Sequence, residues 1–169
     1  MARISMINPE TANEEVRRAL EAHVAAGYRV TNEKRTLLHN VTAFEALEVQ
    51  SYAVDRELQR LVGKRAADFF EYAISLENDC VVCSTYFGKL LRQNGITDFE
   101  HFDFTDDERL LIEFGRAIAK NPKGVPDELF ARLKERFDEE TIVVLTTMGV
   151  FMIANNYFND ILQVEPELL

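Results

Sequence analysis

The chain has 169 residues, 47% of them hydrophobic and 28% charged, and its formal net charge at pH 7 is −10. This composition is typical of a soluble globular protein, and the length predicts one domain, spanning residues 1–169, whose core needs no disulfide bonds. The acidic excess argues against a nucleic-acid partner, which requires a basic surface, and against an anionic membrane surface.

Hydrophobic periodicity predicts an all-α chain, and no segment alternates as a β-strand does. The first predicted helix covers residues 12–27, a short helix ends near residue 39, and another begins at residue 40. Gly63 separates that helix from the next, which covers residues 64–77. A helix over residues 80–94 follows, and Gly95 is well placed to end it, because glycine readily adopts the left-handed conformation that closes a helix.

The C-terminal part contains three further predicted helices. Thr105 and Glu108 form a capping-box pattern that opens a helix to about residue 119, and a loop with two prolines follows at residues 121–126. A short helix then runs to residue 137. The last helix, residues 138–164, begins apolar nearly all round, so we expect burial on more than one side and a subunit interface. Its later asparagines, Asn155, Asn156 and Asn159, fit either a buried polar network or a fraying helix end.

Two cysteines, Cys80 and Cys83, are the only ones in the chain and lie three residues apart. At this spacing on a helix both thiols are on the same face, close enough to form a disulfide with each other. Asn78 or Asp79 is the expected N-cap, which would put both thiols in the first turn, where free N–H groups and the helix dipole stabilise a thiolate. The acidic residues that precede the pair act in the opposite direction, because negative charge raises the pKa of a thiol.

Compartment and cysteine spacing together favour redox chemistry. The N-terminal residues lack the apolar core of a signal peptide, and the longest apolar stretch, residues 141–154, is shorter than the roughly 20 residues that cross a bilayer, so we expect a cytoplasmic protein. There a CxxC pair is more often redox-active or metal-binding than structural. A metal site would need two more ligands, and His23, His39 and His101 are not at ligand spacing, so we expect no metal and no other cofactor. The alternative is that the cysteines serve as two small buried apolar side chains.

The predicted helix before the cysteines has a stripe of polar side chains at helical spacing: Asp68, Glu71, Tyr72 and Ser75. A carboxylate here could accept a proton from a thiol through a relay. For Glu71 and Ser75 we expect the simpler outcome, the solvent-exposed face of an amphipathic helix. His39 and His101 are also candidate bases, although a single histidine is more often a surface residue.

Residues 61–95 resemble the carboxymuconolactone decarboxylase family, in its alkylhydroperoxidase D-like branch. The pattern of that family is an acidic residue, a spacer of eleven residues, Cys-x-x-Cys, and a histidine four residues later. On this chain the pattern falls on Asp68, Cys80 and Cys83, with Phe87 at the histidine position. Residues 8–11, 37–40 and 155–164 are similar to the peroxidase-related subgroup, so the resemblance covers nearly the whole chain.

This resemblance implies an all-α, AhpD-like helical bundle with a central CxxC helix hairpin, assembled into homo-oligomers such as dimers, trimers or hexamers. It also implies a catalytic cycle in which Cys83 attacks a hydroperoxide and forms a sulfenic acid, and Cys80 then closes the disulfide. A dithiol or a partner protein would restore both thiols. Asp68 is the candidate proton acceptor. Phe87 cannot transfer a proton, and proton transfer by a side chain typically raises a reaction rate by about 10²–10⁴-fold. We expect Phe87 to form an apolar wall of the pocket.

Two other functions remain open. One is a lactone decarboxylation of the kind that names the family, which would need positive groups to hold an organic acid. The other is a catalytically impaired family member that binds a small molecule or senses oxidant through its dithiol. The missing histidine favours this second alternative.

Overall fold

A computed structural model of the chain describes residues 2–167, which form nine α-helices and no β-strand. The helices are α1 (Glu14–Ala25), α2 (Asn32–Leu37), α3 (Val41–Phe44), α4 (Gln50–Val62), α5 (Lys64–Glu77), α6 (Val81–Gln93), α7 (Asp106–Lys120), α8 (Asp127–Arg136) and α9 (Glu139–Leu162). A 3₁₀ turn, Pro9–Thr11, precedes α1, and a π-helix, Glu45–Val49, joins α3 to α4. The predicted all-α class is confirmed.

Polar side chains at the helix starts explain why the elements begin where they do. Five α-helices have an N-cap whose side-chain oxygen accepts a hydrogen bond from a backbone N–H in the first turn: Asn13, Thr31, Asn40, Thr105 and Asp138. The capping box of Thr105 and Glu108 is present as predicted. Gly95, at φ 83°, follows the C-cap of α6, which confirms the predicted stop.

Helix α5 is the centre of the bundle and contacts α4, α6, α7 and α9. Its contact with α7 is the most extensive, because α7 presents Gly115 to it. A Cβ added there would lie 3.0 Å from the carbonyl oxygen of Phe70 and 3.2 Å from Ile74, so a larger side chain would force the helices apart. This close approach sets the position of α5, and therefore of the residues on its other faces.

Among the described residues, α9 is the one helix long and apolar enough to span a membrane. Core helices of soluble proteins can have the same length and composition. One side of α9 packs into the bundle through Ile142, Leu145, Met148 and Met152. The opposite side leaves an apolar stripe exposed, which we call the α9 stripe: Val143, Val150, Tyr157 and Ile161. The late asparagines lie on the inner side and meet the N-terminus of α6 and the end of α5.

Candidate active site

The two cysteines lie at the N-terminus of α6, where it packs against α5 and α9. Both are free thiols; Cys80 is fully buried, and Cys83 is 7% exposed. Cys80 is itself the N-cap: its Sγ accepts a hydrogen bond from the backbone N–H of Cys83, 3.5 Å away. The predicted cap was wrong, because Asp79 lies in the left-handed region at φ 53° and forms the turn between the helices.

The two thiols share a hydrogen bond that shifts their pKa values in opposite directions. The hydrogen bond with Cys83 lowers the pKa of Cys80, and the backbone N–H of Cys83 acts in the same direction. That shared bond raises the pKa of Cys83, and both burial and the carboxylate of Glu33 add to the rise. The largest charge effects from outside the pair come from Glu33 on α2 and Asp160 on α9. Cys83 therefore keeps its proton until a base removes it.

A cavity of about 210 Å³ opens beside Cys83. Cys83 is in the cavity wall, and Cys80 lies behind it, fully buried. Phe87, Leu90 and Met152 form part of the apolar wall, so the prediction for Phe87 is confirmed. The polar part of the wall holds six carboxyl groups and three basic side chains: Glu33, Glu48, Asp55, Asp68, Glu71 and Glu167, with Arg29, Lys34 and Lys64.

One side of this cavity is a buried cluster of charged residues from α2 and the π-helix. The Nζ of Lys34 lies 3.0 Å from a carboxylate oxygen of Glu33 and 2.9 Å from one of Glu48. The hydroxyl of Tyr52 donates a hydrogen bond of 2.8 Å to Glu48, and the Tyr52 ring stacks on Tyr28 at a centroid distance of 3.8 Å. Burial disfavours the ammonium, but the two carboxylates outweigh it and raise the pKa of Lys34. We call Glu33, Lys34, Glu48 and Tyr52 the Lys34 cluster.

Asparagines of α9 connect the Lys34 cluster to the cysteines. The Nδ2 of Asn159 lies 3.3 Å from the Sγ of Cys83 and 3.1 Å from Oε1 of Glu33, and it donates to both. Asn156 accepts a hydrogen bond of 3.0 Å from the side chain of Asn78, at the end of α5. Asn155 lines the cavity. Of the two possibilities left open for these asparagines, the structure therefore has the buried polar network.

The carboxyl groups of α5 face the same cavity. Asp68 lies in the cavity wall, with its two oxygens 2.9 and 2.7 Å from the Nζ of Lys64, and burial raises its pKa despite this partner. Glu71 is 6% exposed, and burial together with Asp55 raises its pKa well above the ordinary value. Ser75 is fully buried and donates to the carbonyl oxygen of Glu71. The expectation that Glu71 and Ser75 face solvent was wrong, because the helices packed around α5 bury both residues.

The histidines considered as bases lie elsewhere. The ring of His39 is hydrogen-bonded to the carbonyl oxygen of Ser5, and the exposed His101 lies 3.0 Å from Asp98. Neither is in the cavity wall. Within residues 2–167 no group of three or more histidine, cysteine or acidic residues is arranged to hold a metal ion.

Sequence reasoning missed the Lys34 cluster. Glu33 and Lys34 are in a six-residue helix with no periodicity that marks a buried side. Glu48 did have a signal: it lies one turn after the buried Phe44, on the face that also includes Leu58. A charged residue on such a face requires a partner, and this requirement could have pointed to a buried ion pair. Nothing local indicates that Lys34 is that partner.

Solved structures similar to this chain share its architecture. An alkylhydroperoxidase AhpD core protein from Ralstonia eutropha JMP134, uncharacterized and peroxidase-related, has a TM-score of 0.74 and 21% identity, covering 98% of this chain and 92% of its own. A peroxidase-related protein from Silicibacter sp. TM1040 has a TM-score of 0.76 and 14% identity at the same coverage. A putative antioxidant defence protein AhpD from Agrobacterium tumefaciens has a TM-score of 0.62 and 22% identity, covering 75% of this chain and 92% of its own.

The sequence itself matches no protein-family model and no curated protein. The similarity is thus one of structure, at identities too low to transfer an activity. It extends over nearly the whole described chain and agrees with the all-helical architecture around α5 and α6. This chain has the AhpD-like fold.

Proposed function

We propose that this protein is a dithiol peroxidase that reduces hydroperoxides through Cys83 and Cys80. The observation that carries the proposal is the arrangement of two free, hydrogen-bonded thiols of which one, Cys83, is in the wall of a cavity while the other lies directly behind it. A sulfur in the wall can meet a peroxide. The sulfur behind it is positioned to form a disulfide once the first is oxidised.

The reaction needs three steps. The thiolate of Cys83 attacks the peroxide O–O bond and becomes a sulfenic acid, and the departing oxygen takes a proton and leaves as an alcohol. The thiol of Cys80 then displaces water from that sulfenic acid and closes the disulfide. A dithiol or a partner protein reduces the disulfide by exchange, which returns two thiols. Asp68, in the same cavity wall, is one candidate for moving the proton.

The charge of the cavity disfavours a lactone decarboxylase. Such an enzyme must hold an organic acid, and its site needs an excess of positive groups. Here carboxyl groups outnumber basic side chains, and Lys34 and Lys64 are already paired with carboxylates. A neutral hydroperoxide meets no such repulsion.

The test measures consumption of cumene hydroperoxide by the reduced protein with dithiothreitol as reductant. We expect turnover by the parent and none by Cys83→Ser. Cys80→Ser, reduced and then freed of dithiothreitol before peroxide is added, should turn over once and leave a sulfenic acid that dimedone traps. Phe87→His should raise the rate by restoring a proton-transferring group. Turnover confined to Phe87→His would instead support a catalytically impaired binding or sensing protein. Turnover of a muconolactone that Cys83→Ser leaves intact would support decarboxylation.

A homo-oligomer in a reducing, cytoplasmic compartment is also part of this proposal. The α9 stripe, more than half exposed at each of its four residues, is the candidate interface between copies. We expect Val150→Glu to lower the molar mass measured by light scattering to that of a monomer, while the same substitution at the exposed Val24 of α1 does not. A monomeric parent would contradict this.

A further inference from the structure

The Lys34 cluster has one more carboxylate than it has ammonium groups. Lys34 is positioned between Glu33 and Glu48, so three buried ionised groups would carry a net charge of −1. Glu48 is paired with the ammonium of Lys34 and accepts a hydrogen bond from the hydroxyl of Tyr52. An excess buried charge is costly, and one proton added to the cluster would remove it. The cluster is therefore built to accept a proton.

The thiol linked to this cluster is that of Cys83. One amide nitrogen, Nδ2 of Asn159, donates to the sulfur of Cys83 and to the carboxylate of Glu33, which keeps the two groups side by side. Asn159 is 1% exposed, so it has few other positions available. Cys83 and Glu33 also line the same cavity, where one water molecule can bridge them.

We propose that Glu33, positioned by Asn159, is the proton acceptor for Cys83. The proposal deepens the proposed function and rests on it. Burial raises the pKa of Glu33, which makes its carboxylate a better proton acceptor than an exposed one. Moving the proton from Cys83 to Glu33 leaves the total buried charge unchanged, so no additional charge has to be desolvated.

The cycle balances with Glu33 as donor as well as acceptor. The thiol of Cys83 gives its proton to Glu33, and the resulting thiolate attacks the hydroperoxide. Breaking the O–O bond leaves an alkoxide, which takes the proton back from Glu33 and departs as an alcohol. Cys83 is then a sulfenic acid and Glu33 is again a carboxylate.

The pH dependence of this pair is set by the groups around Glu33 and Cys83. Lys34 favours the ionised form of Glu33, whereas Glu48 and burial favour the protonated form. The charged and titratable groups that act most strongly on the pair are Lys34, Glu48, Tyr52, Cys80 and Asp160. The same cavity is also lined by further charged and titratable groups, from α4, α5, α6 and the neighbouring loops: Tyr28, Arg29, Asp55, Lys64, Asp68, Glu71, Tyr86 and Glu167. Two coupled groups lose their protons in two macroscopic steps. We therefore expect Cys83 to show a two-step titration.

The experiment follows alkylation of Cys83 by iodoacetamide against pH in a Cys80→Ser background, which leaves a single thiol. We expect two steps separated by a plateau. Glu33→Gln keeps the shape of the side chain but cannot accept a proton, so only one step should remain. Glu33→Asp should keep both steps, and so should Asp68→Asn, which removes the other candidate acceptor in the cavity.

Peroxide turnover provides the second measurement. With both cysteines present, we expect Glu33→Gln to lower the rate of cumene hydroperoxide consumption by about 10²–10⁴-fold, and Glu33→Asp to retain part of it. A single alkylation step in the Cys80→Ser protein, or loss of the second step in Asp68→Asn instead, would overturn the role of Glu33. Two steps without any turnover by the parent would support the proton coupling and overturn only the peroxidase function.

Discussion

Two adjacent residues of α5 show how differently this protein uses its buried surface. Phe70 and Glu71 are both almost inaccessible, at 0% and 6% exposure. Phe70 is packed against α7, where its ring stacks on Phe114 and the missing side chain of Gly115 lets the helices meet. Glu71 lies in the cavity wall, and its Oε1 has no hydrogen-bond partner. One side of the helix is close-packed and apolar, and the other is open and acidic.

The difference shows that burial alone does not tell what a residue contributes. Filling space with apolar atoms stabilises the fold, because close packing adds dispersion contacts to the hydrophobic effect. A buried polar group without a partner costs about 1–3 kcal/mol instead. The cavity side of α5 contains such a group in Glu71, and functional sites often contain groups that lower stability in this way. Stability and chemistry are thus divided between two faces of one helix.

The largest effect is expected on the packed face. Phe70→Ala should lower the free energy of unfolding by about 3–5 kcal/mol, because the cavity it leaves lies between helices that cannot collapse into it. Urea denaturation followed by circular dichroism measures this. Phe130→Ala, on the surface of α8 at 39% exposure, is the matched control and should cost about 1 kcal/mol or less. Equal losses at the two positions would contradict the assignment of Phe70 to the structural core.

On the cavity face we expect a substitution to change the free energy of unfolding by a smaller amount and with the opposite sign. The pKa of Glu71 is raised above its ordinary value of 4.5 in the folded chain, so the folded state holds a proton that the unfolded state loses first as pH rises. This contribution to stability is complete below pH 4.5 and is lost as pH rises toward the folded pKa. Glu71→Gln has no proton to lose. It should match the parent near pH 4 and exceed its stability near pH 8.

Urea titrations at several pH values measure this difference. The same substitution at Glu135, exposed on α8, is the control, because its carboxylate is hydrated in the folded and unfolded states alike. A gain from Glu71→Gln that does not change between acid and alkaline pH would show that the pKa of Glu71 is the same in the folded and unfolded states.

Most of the helical framework could be read from the sequence. The helix predicted over residues 64–77 is α5, Lys64–Glu77, and the one predicted over residues 80–94 is α6, Val81–Gln93, with Cys80 and Asn94 as caps. Caps, glycine stops and helical periodicity depend on residues within one or two turns, so the sequence contains them directly. The cysteine pair was equally visible, since its spacing alone places both sulfurs on one face.

The surroundings of the cysteines were decided by tertiary structure. Glu33 and Asn159 are 126 positions apart in the sequence, yet both contact the Cys83 site, directly or through a shared hydrogen bond. Glu71 and Ser75 fit the pattern of an exposed polar face, but the helices packed around α5 bury both of them. A helical pattern indicates which residues share a face but not what lies opposite that face. The pKa of a group depends on those opposing charges and on its burial, and both are set only when the helices pack.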